Sequence, residues 1–311
     1  MAKRNFWIDT DTASDDSVAI LMALRWPDVH VEGISIVVGN VPVNQGSKNA
    51  RYTVELVGAE IPVFNGMTKP LFRLARDATK FHGADGMGNM NYPAPKKAAK
   101  KKHAVQALIE AFSKHQQDMT LVTLGPLTNI AMSILLEPRF TQWVKQCYVM
   151  GGATATLGNT TPAAEYNIWS DPEAASIVFH SGMKILMIGW EHCRGKANLN
   201  DAEIKYIRSL AKPLADFTLD CNRTAYEMNR KKYRDPGITL PDPIAMSIAL
   251  DPSICLEKSM HFVEISLDET ITRGMTIVDQ LGVLDKEANI EVCWNIDIEK
   301  WKKTLLLCLK D

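Results

Sequence analysis

The chain has 311 residues, of which 46% are hydrophobic and 23% are charged, and its 35 Lys and Arg residues nearly balance 36 Asp and Glu residues. This length allows a sizeable hydrophobic core, and the composition is that of a globular rather than a disordered chain. The near-neutral charge argues against a nucleic-acid binder, and no apolar run approaches the ~20 residues that span a bilayer.

Short apolar runs alternate with helical patterns along most of the chain. Strands are predicted over 6–8, 31–38, 119–124, 144–150 and 184–189, and helices over 17–26, 44–57, 171–180 and 298–309, with a further helix ending at 136. Two or three more strands are predicted after about residue 260. Strands that alternate with helices are typical of βαβ units. We therefore expect an α/β fold with a doubly wound, mostly parallel open sheet (Rossmann-like), and a single domain over residues 1–311.

One long segment interrupts this alternation. Residues 66–103 contain a Gly-rich stretch at 82–88 and a lysine run at 96–102. A connection of this length inside a compact domain is usually a functional loop or a disordered one. The lysine run is interpreted as a solvated surface, because no aromatic residue is interleaved with it to stack on bases.

The cysteines and the first residues indicate a compartment. The six cysteines contain no CxxC pair, which is typical of reduced thiols rather than of a disulfide framework. Residues 1–8 lead directly into an acidic cluster and do not have the pattern of a signal peptide. We therefore expect a cytoplasmic protein without a membrane partner.

Polar or Gly-rich segments follow each predicted parallel strand. They cover residues 9–16, 39–40, 124–129, 150–152 and 190–193. Because ligands bind at the carboxyl ends of the strands in open α/β sheets, we expect these segments to meet at one site.

The first of these segments is strongly acidic. Its four aspartates, at positions 9, 11, 15 and 16, repel one another unless a cation lies among them, and carboxylates are the ligands of Ca²⁺ and Mg²⁺. Helix capping is the alternative interpretation, but a cap needs only one carboxylate. The spacing is not that of an EF-hand, and the chain lacks the GxGxxG and P-loop motifs that hold phosphates. A metal site is therefore predicted, and a phosphohydrolase is disfavoured because no basic residue accompanies the cluster.

An ordered set of motifs resembles the calcium-dependent nucleoside hydrolases, also called inosine–uridine preferring nucleoside N-ribohydrolases. The matching segments are DxDxxxDD at 9–16, VVGN at 37–40, HGxDG at 82–86, GPLTN at 125–129, MGG at 150–152, Asn159, AEYN at 164–167, DPEAA at 171–175 and DPxA at 242–245. The resemblance extends from about residue 5 to residue 309. It implies hydrolysis of a ribonucleoside to ribose and a free base in nucleoside salvage, by a homodimer or homotetramer.

The resemblance also implies roles for individual residues. It implies a Ca²⁺ ion held by Asp11, Asp16, Asp242 and the carbonyl of Leu124, with Asp11 taking a proton from a metal-bound water that attacks C1′ of the ribose. The residues implied to bind the substrate are Asp15, Asn40, Asn159, Glu165 and Asn167 at the ribose hydroxyls, and Met150 at the floor. For Glu165 and Asn167, the alternative is local helix capping before Asp171.

One position departs from the family pattern. Pro241 stands where members that act on common nucleosides often carry the His that protonates the leaving base. Three substitutes remain open: His82 in the long loop, His192 or Glu191 after the strand 184–189, or no acid, with Trp190 stacking on the base. Two other functions remain open as well, namely the same chemistry on a modified nucleoside, and a catalytically weak protein that binds ribose or nucleosides. Retention of Asp11 disfavours the second, because binding alone needs no general base.

Overall fold

The fold is built around one large sheet. The structure, a computed structural model, describes residues 3–233 and 236–310, and within these residues nine strands form a sheet in the order β3-β2-β1-β4-β5-β6-β9-β7-β8. The strands are β1 (Arg4–Thr10), β2 (Val29–Ile36), β3 (Val63–Asn65), β4 (Met119–Thr123), β5 (Val144–Met150), β6 (Ile185–Ile188), β7 (Cys255–Ile265), β8 (Thr276–Asp279) and β9 (Ile290–Ile296). β1 to β6 are mutually parallel and β9 is parallel to β6, whereas β7 is antiparallel to β9 and β8.

Helices follow most of the strands. They are α1 (Ser14–Arg25), α2 (Val43–Leu56), α3 (Thr79–His82), α4 (Ala104–Lys114), α5 (Thr128–Leu136), α6 (Phe140–Trp143), α7 (Tyr166–Ser170), α8 (Pro172–Phe179), α9 (Asp201–Ser209), α10 (Pro213–Cys221), α11 (Arg223–Met228), α12 (Pro241–Leu250) and α13 (Ile298–Leu309). Short 3₁₀ helices lie at Trp190–Cys193, Gly195–Ala197 and Pro252–Ile254, and a π-helical turn lies at Asn229–Tyr233. None of the helices in the described ranges combines the length and the apolar character that a bilayer crossing requires.

The helices cover both faces of the sheet, and the alternation of β1 shows how. Phe6 and Ile8 point to a cluster that contains residues of α1, α12 and α13, whereas Trp7 points to a second cluster with residues of α4, α5 and α8. Successive side chains of a strand face opposite sides, so a strand covered on both faces is apolar at every position. The predicted doubly wound, mostly parallel sheet is confirmed.

The long segment at 66–103 contains little regular structure. Within this fully described range α3 is the only helix, and Lys100 forms an isolated bridge with Phe64. The six cysteines are all free thiols, and five of them are buried.

Candidate active site

The sheet order places a crevice between β1 and β4. β1 continues through β2 and β3 on one side, whereas β4 continues through β5 and β6 on the other, so the strand order reverses between them. A ligand crevice is expected where the order reverses, outside the carboxyl ends of the strands. Asp11 follows β1 and Leu124 follows β4 at this point.

A cavity of about 190 Å³ opens at this end of the sheet. It is several times larger than the ~30 Å³ share of one water molecule, so it has room for a small organic molecule. The predicted site residues that line it are Asp15, Asn40, His82, Leu124, Met150, Asn159, Glu165, Asn167, Trp190 and Asp242. Asp11 and Asp16 lie next to this lining, whereas Glu191 and His192 are directed elsewhere, as described below.

Three carboxylates form a buried acidic cluster, defined here as Asp15, Asp16 and Asp242. One carboxylate oxygen from each lies within 4.8 Å of the others. Asp15 and Asp16 occupy the first turn of α1 and Asp242 occupies the first turn of α12, and the two helices pack against each other. The positive ends of two helix dipoles therefore meet at the cluster and favour negative charge there.

Burial and mutual repulsion make the ionised forms of these side chains costly. Burial, followed by the charge of Asp15, raises the pKa of Asp16 to about 6, and burial raises the pKa of Asp15 to about 6. Burial raises the pKa of Asp242 well above its ordinary value, with further contributions from the charges of Asp16 and Asp15. A bound cation would reverse these shifts, because it stabilises the charged carboxylates.

Asp16, the third residue of α1, also caps the start of that helix. Its Oδ1 accepts a hydrogen bond from Thr10 Oγ1 at 2.5 Å, and its Oδ2 accepts one from the Ala13 amide at 2.8 Å. The capping interpretation of the acidic segment and its membership in the cluster therefore hold together at this residue.

Asp11 is fixed between two glycines. Its Oδ2 accepts the Asn40 amide at 2.5 Å, and its Oδ1 lies 3.3 Å from Asn40 Nδ2. A Cβ atom at Gly39 would lie 2.0 Å from Asp11 Oδ2, and one at Gly125 would lie 2.9 Å from the Asp11 nitrogen. Both positions therefore need glycine for the backbone to approach this closely. Burial, and then the charge of Asp16, raises the pKa of Asp11 well above its ordinary value.

Asp9, the remaining aspartate of the acidic segment 9–16, lies apart from the cavity. Asp9 belongs to β1, where its Oδ2 accepts hydrogen bonds from Ser35 Oγ and from Asn129 Nδ2. Burial raises its pKa to about 7. This carboxylate therefore ties β1 to its neighbours and is not a member of the acidic cluster.

The donor chemistry of the acidic cluster fits a hard divalent cation. It consists of carboxylate oxygens at close range, and Asp15 Oδ1 is buried without a hydrogen-bond partner among the residues that the structure describes. The grouping differs in part from the predicted ligand set, because Asp15 is included and Asp11 is not. The Leu124 carbonyl accepts a hydrogen bond from Asn167 Nδ2 at 3.0 Å. The ligand roles of Asp11 and Leu124 stay predictions.

Glu165 caps the start of α7, as the capping interpretation predicts. It precedes α7, and its carboxylate accepts hydrogen bonds from the amides of Asn167 (2.9 Å), Ile168 (3.2 Å) and Gly152 (3.0 Å). Burial nevertheless raises its pKa to about 7. Glu165 therefore organises the turn and also lines the cavity.

Two asparagines connect this turn to the strands and the adjoining loop. Asn167 Nδ2 donates to the carbonyls of Leu124 and Met150, which joins the ends of β4 and β5. Asn159 Oδ1 accepts the Tyr166 amide at 2.9 Å. Each asparagine thus has a structural partner while it lines the cavity.

Of the three candidate acids, His82, Glu191 and His192, only His82 lines the cavity. It ends α3, and its Nδ1 lies 2.8 Å from Ser14 Oγ and 3.7 Å from Asp15 Oδ1. Burial lowers the pKa of His82 to about 4, although the charge of Asp16 acts in the opposite direction. The ring is therefore neutral at pH 7.

The other two candidates, His192 and Glu191, are bonded to residues outside the cavity lining. His192 Nε2 donates to the Cys293 carbonyl on β9 at 2.9 Å, and the Glu191 carboxylate accepts hydrogen bonds from the amide and hydroxyl of Thr154. Neither residue lines the cavity, and the roles of both as site members stay predictions. Trp190, in the same 3₁₀ helix, does line the cavity.

Sequence similarity identifies the family. A profile described as "Inosine-uridine preferring nucleoside hydrolase" matches residues 6–303. The chain belongs to this family. The predicted enzyme class, a nucleoside N-ribohydrolase, is thereby confirmed.

Individual relatives agree over nearly the whole hydrolase chain. It is 36% identical to the inosine-uridine preferring nucleoside hydrolase of Leishmania major over 96% of this chain and 95% of the relative. It is 31% identical to the pyrimidine-specific ribonucleoside hydrolase RihB of Escherichia coli, with the same coverage. The solved structure of a plant nucleoside hydrolase, PpNRh1, superposes with a TM-score of 0.93 at 29% identity and covers 99% of both chains.

The hydrolase cavity also contains residues that the sequence reasoning missed. They are Ala78, Phe81, Gly158, Thr160, Tyr166, Arg194, Asn229 and Thr239. Phe81 and Tyr166 lie beside or within motifs that were recognised, so adjacency was an available signal. Arg194 directly follows the segment 190–193, so adjacency was a signal there too, whereas Asn229 and Thr239 belong to no matched motif.

Pro241 lines the cavity of the hydrolase beside Asp242. It is the first residue of α12, where the amide hydrogen that proline lacks would have no partner within the helix. Proline therefore suits the start of this helix and contributes an apolar surface, with no proton to donate.

Proposed function

We propose that this hydrolase cleaves the N-glycosidic bond of a ribonucleoside with the help of Ca²⁺. The observation that carries the proposal is the acidic cluster, three buried carboxylates within 4.8 Å of one another beside a cavity of suitable size. Asp16 and Asp242 belong both to this cluster and to the predicted ligand set, and Asp11 and the Leu124 carbonyl complete that set. A bound divalent cation lowers the pKa of water and so makes a nucleophile available at neutral pH.

Asp11 is proposed as the general base. Its carboxylate is held by Asn40 and by the close backbone at Gly39, so its direction is fixed before substrate binds. A general base must lie within hydrogen-bond reach of the proton that it removes, and a carboxylate held in one direction meets this requirement. Asp11 accepts the proton of the attacking water as the oxygen approaches C1′.

The remaining polar lining is proposed to bind the ribose. Cleavage of an N-glycosidic bond passes through a state with oxocarbenium character, and nearby carboxylates stabilise that positive charge. The proposed ribose ligands are Asp15, Asn40, Asn159, Glu165 and Asn167, above a floor formed by Met150. Because Glu165, Asn159 and Asn167 are held by hydrogen bonds to the backbone, they offer the sugar a preformed surface.

The leaving base is proposed to depart without a strong protein acid at neutral pH. His82 is the best placed of the three candidates, but its lowered pKa leaves the ring uncharged. The half-buried Trp190 offers the base an apolar stacking surface instead.

A modified nucleoside is a second candidate substrate. The apolar ring of Pro241 lies in the cavity where an ionisable side chain was expected, and a base that leaves readily needs no proton donor. The relatives differ in the substrates that their names give, the nucleosides inosine and uridine in one and pyrimidine ribonucleosides in another, so they favour no single base for this chain.

The test is release of reducing sugar from a panel of purine, pyrimidine and modified ribonucleosides, with added Ca²⁺ and with a chelator. We expect turnover of at least one nucleoside that the chelator abolishes and Ca²⁺ restores. Equal turnover with and without the metal would contradict the Ca²⁺ proposal. Binding of nucleosides without any turnover would favour the ribose- or nucleoside-binding alternative. Cytoplasmic salvage and a homodimeric or homotetrameric state stay predictions from the family resemblance.

A further inference from the structure

Two cysteines meet on neighbouring strands away from the cavity. The Sγ atoms of Cys255 on β7 and Cys293 on β9 lie 3.1 Å apart, and the register of these strands is irregular on both sides of Glu257. A disulfide has an S–S distance of about 2.05 Å, so an approach of about 1 Å would join the two atoms. The pairing needs no exchange of partner strands, because the sheet already holds both residues.

The two thiols have unequal chemistry. Cys255 is half-buried, and its hydrogen bond with Cys293, together with the charge of Lys258, lowers its pKa. Cys293 is buried, and the same hydrogen bond raises its pKa. Since the thiolate is the nucleophile in disulfide exchange, Cys255 is suited to react first and Cys293 to complete the disulfide.

Cys293 is also connected to the cavity wall. Its carbonyl accepts the hydrogen bond from His192 Nε2 at 2.9 Å. His192 shares a four-residue 3₁₀ helix with Trp190, which lines the cavity. Movement of the Cys293 backbone would therefore be transmitted to Trp190 through one hydrogen bond and one short helix.

We propose that Cys255 and Cys293 are a thiol–disulfide site that reacts with low-molecular-weight disulfides, and that the disulfide alters the cavity wall at Trp190. The Cys255 thiolate attacks one sulfur of the small disulfide, and one small thiolate leaves. Cys293 then loses its proton to solvent and attacks the Cys255 sulfur, which releases the second small thiolate. Two protein thiols are oxidised, and one small disulfide is reduced to two thiols.

The modification itself is tested by incubating the full chain with glutathione disulfide and mapping its peptides by mass spectrometry without reduction. We expect a cross-link between the Cys255 and Cys293 peptides that dithiothreitol reverses. It should be absent in Cys255→Ser and retained in Cys308→Ser, which removes a buried cysteine of α13. Stable glutathione adducts alone, a cross-link between other cysteines, or no reaction would overturn the proposal. This readout does not depend on the proposed function.

The link to the cavity rests on the proposed function and is tested by kinetics of the oxidised enzyme. We expect oxidation to raise KM for the preferred nucleoside by at least about threefold, as for a disturbed aromatic contact. Treatment of Cys255→Ser should leave KM unchanged. A complete cross-link with an unchanged KM would overturn the link to Trp190, whereas an inactive reduced enzyme would count against the proposed function and leave the cross-link result intact.

Discussion

The cavity combines two groups of residues that the fold supports in different ways. The acidic cluster lies on the first turns of α1 and α12, two helices that pack against each other and against the sheet. The aromatic lining, defined here as Phe81, Tyr166 and Trp190, lies on α3, α7 and a 3₁₀ helix of at most five residues each.

This difference separates two functional requirements. Bond cleavage needs carboxylates at fixed positions, and long packed helices supply them. Recognition of the base needs a surface that differs between enzymes with different substrates. Short segments outside the sheet can vary in this way without disturbing the core. We therefore expect substitutions in the acidic cluster and at Asp11 to lower kcat, and substitutions in the aromatic lining to change KM and base preference.

The largest effect is expected for Asp11→Asn. This variant keeps the size of the side chain but removes the base, so kcat should fall by about 10²- to 10⁴-fold with a much smaller change in KM. Steady-state kinetics with the preferred nucleoside measure this. Asp268→Asn, at an exposed position, is the matched control and should behave as wild type. A kcat within a factor of about three of wild type for Asp11→Asn would remove this residue from the chemistry.

A smaller effect, confined to binding, is expected for Trp190→Ala. Loss of a stacked ring should raise KM by about 3- to 10-fold while kcat changes little. Trp190→Phe keeps an aromatic face and should restore most of the affinity. If kcat falls as far as in Asp11→Asn, the division between the acidic cluster and the aromatic lining would not hold.

His82→Asn tests whether a residue outside the acidic cluster and the aromatic lining contributes to kcat. Because the His82 ring is neutral at pH 7, we expect kcat to fall less than about tenfold and the pH–rate profile between pH 6 and 8 to keep its shape, whereas loss of a general acid costs about 10²- to 10⁴-fold. His30→Asn, at an exposed position, is the control. A profile that loses one limb in His82→Asn would identify this residue as the missing acid.

The smallest effect is a pH dependence of stability in the metal-free protein. Folding raises the pKa of Asp15 and Asp16 from about 3.8 to about 6, so the folded chain binds more protons than the unfolded chain between these values. Their contribution to the free energy of unfolding is therefore largest below pH 4 and is lost as the pH rises through about 6.

Thermal unfolding measures this contribution. The increase in Tm from Asp15→Asn, relative to wild type, should be a few degrees greater at pH 7.5 than at pH 4.5 when metal is absent, because the substitution removes a buried charge. Saturating Ca²⁺ should reverse the order at pH 7.5, with wild type more stable than the variant. The same Tm difference at both pH values would argue that Asp15 titrates at its ordinary pKa.

The two groups also differ in how far the sequence predicted them. The acidic cluster was predictable because strand alternation and the DxDxxxDD spacing place carboxylates at strand ends, and Asp242 follows from the ordered motifs. The separation of Asp9 from the other three aspartates was not predictable. It depends on hydrogen bonds to Ser35 and Asn129, which are distant in sequence.

The aromatic lining was predicted only at Trp190. His192 was a reasonable candidate by its position after a strand, but a 3₁₀ turn directs its ring to the Cys293 carbonyl, and no periodicity in the sequence reveals such a turn. The helices α3, α4, α6, α7 and α9 to α12 were also missed, because most of them have nine residues or fewer and so show too few turns for a helical period to be read from the sequence.

The central claim, that the acidic cluster holds the catalytic metal, is tested most directly by measuring Ca²⁺ content and activity on the same samples. Wild-type protein and the double variant Asp16→Asn, Asp242→Asn should be equilibrated with Ca²⁺, freed of excess ion by gel filtration, and assayed by elemental analysis and by release of reducing sugar. We predict one Ca²⁺ per wild-type chain, none in a folded double variant, and activity only in the wild type. Equal Ca²⁺ content in both proteins, or full activity in the metal-free double variant, would contradict the claim.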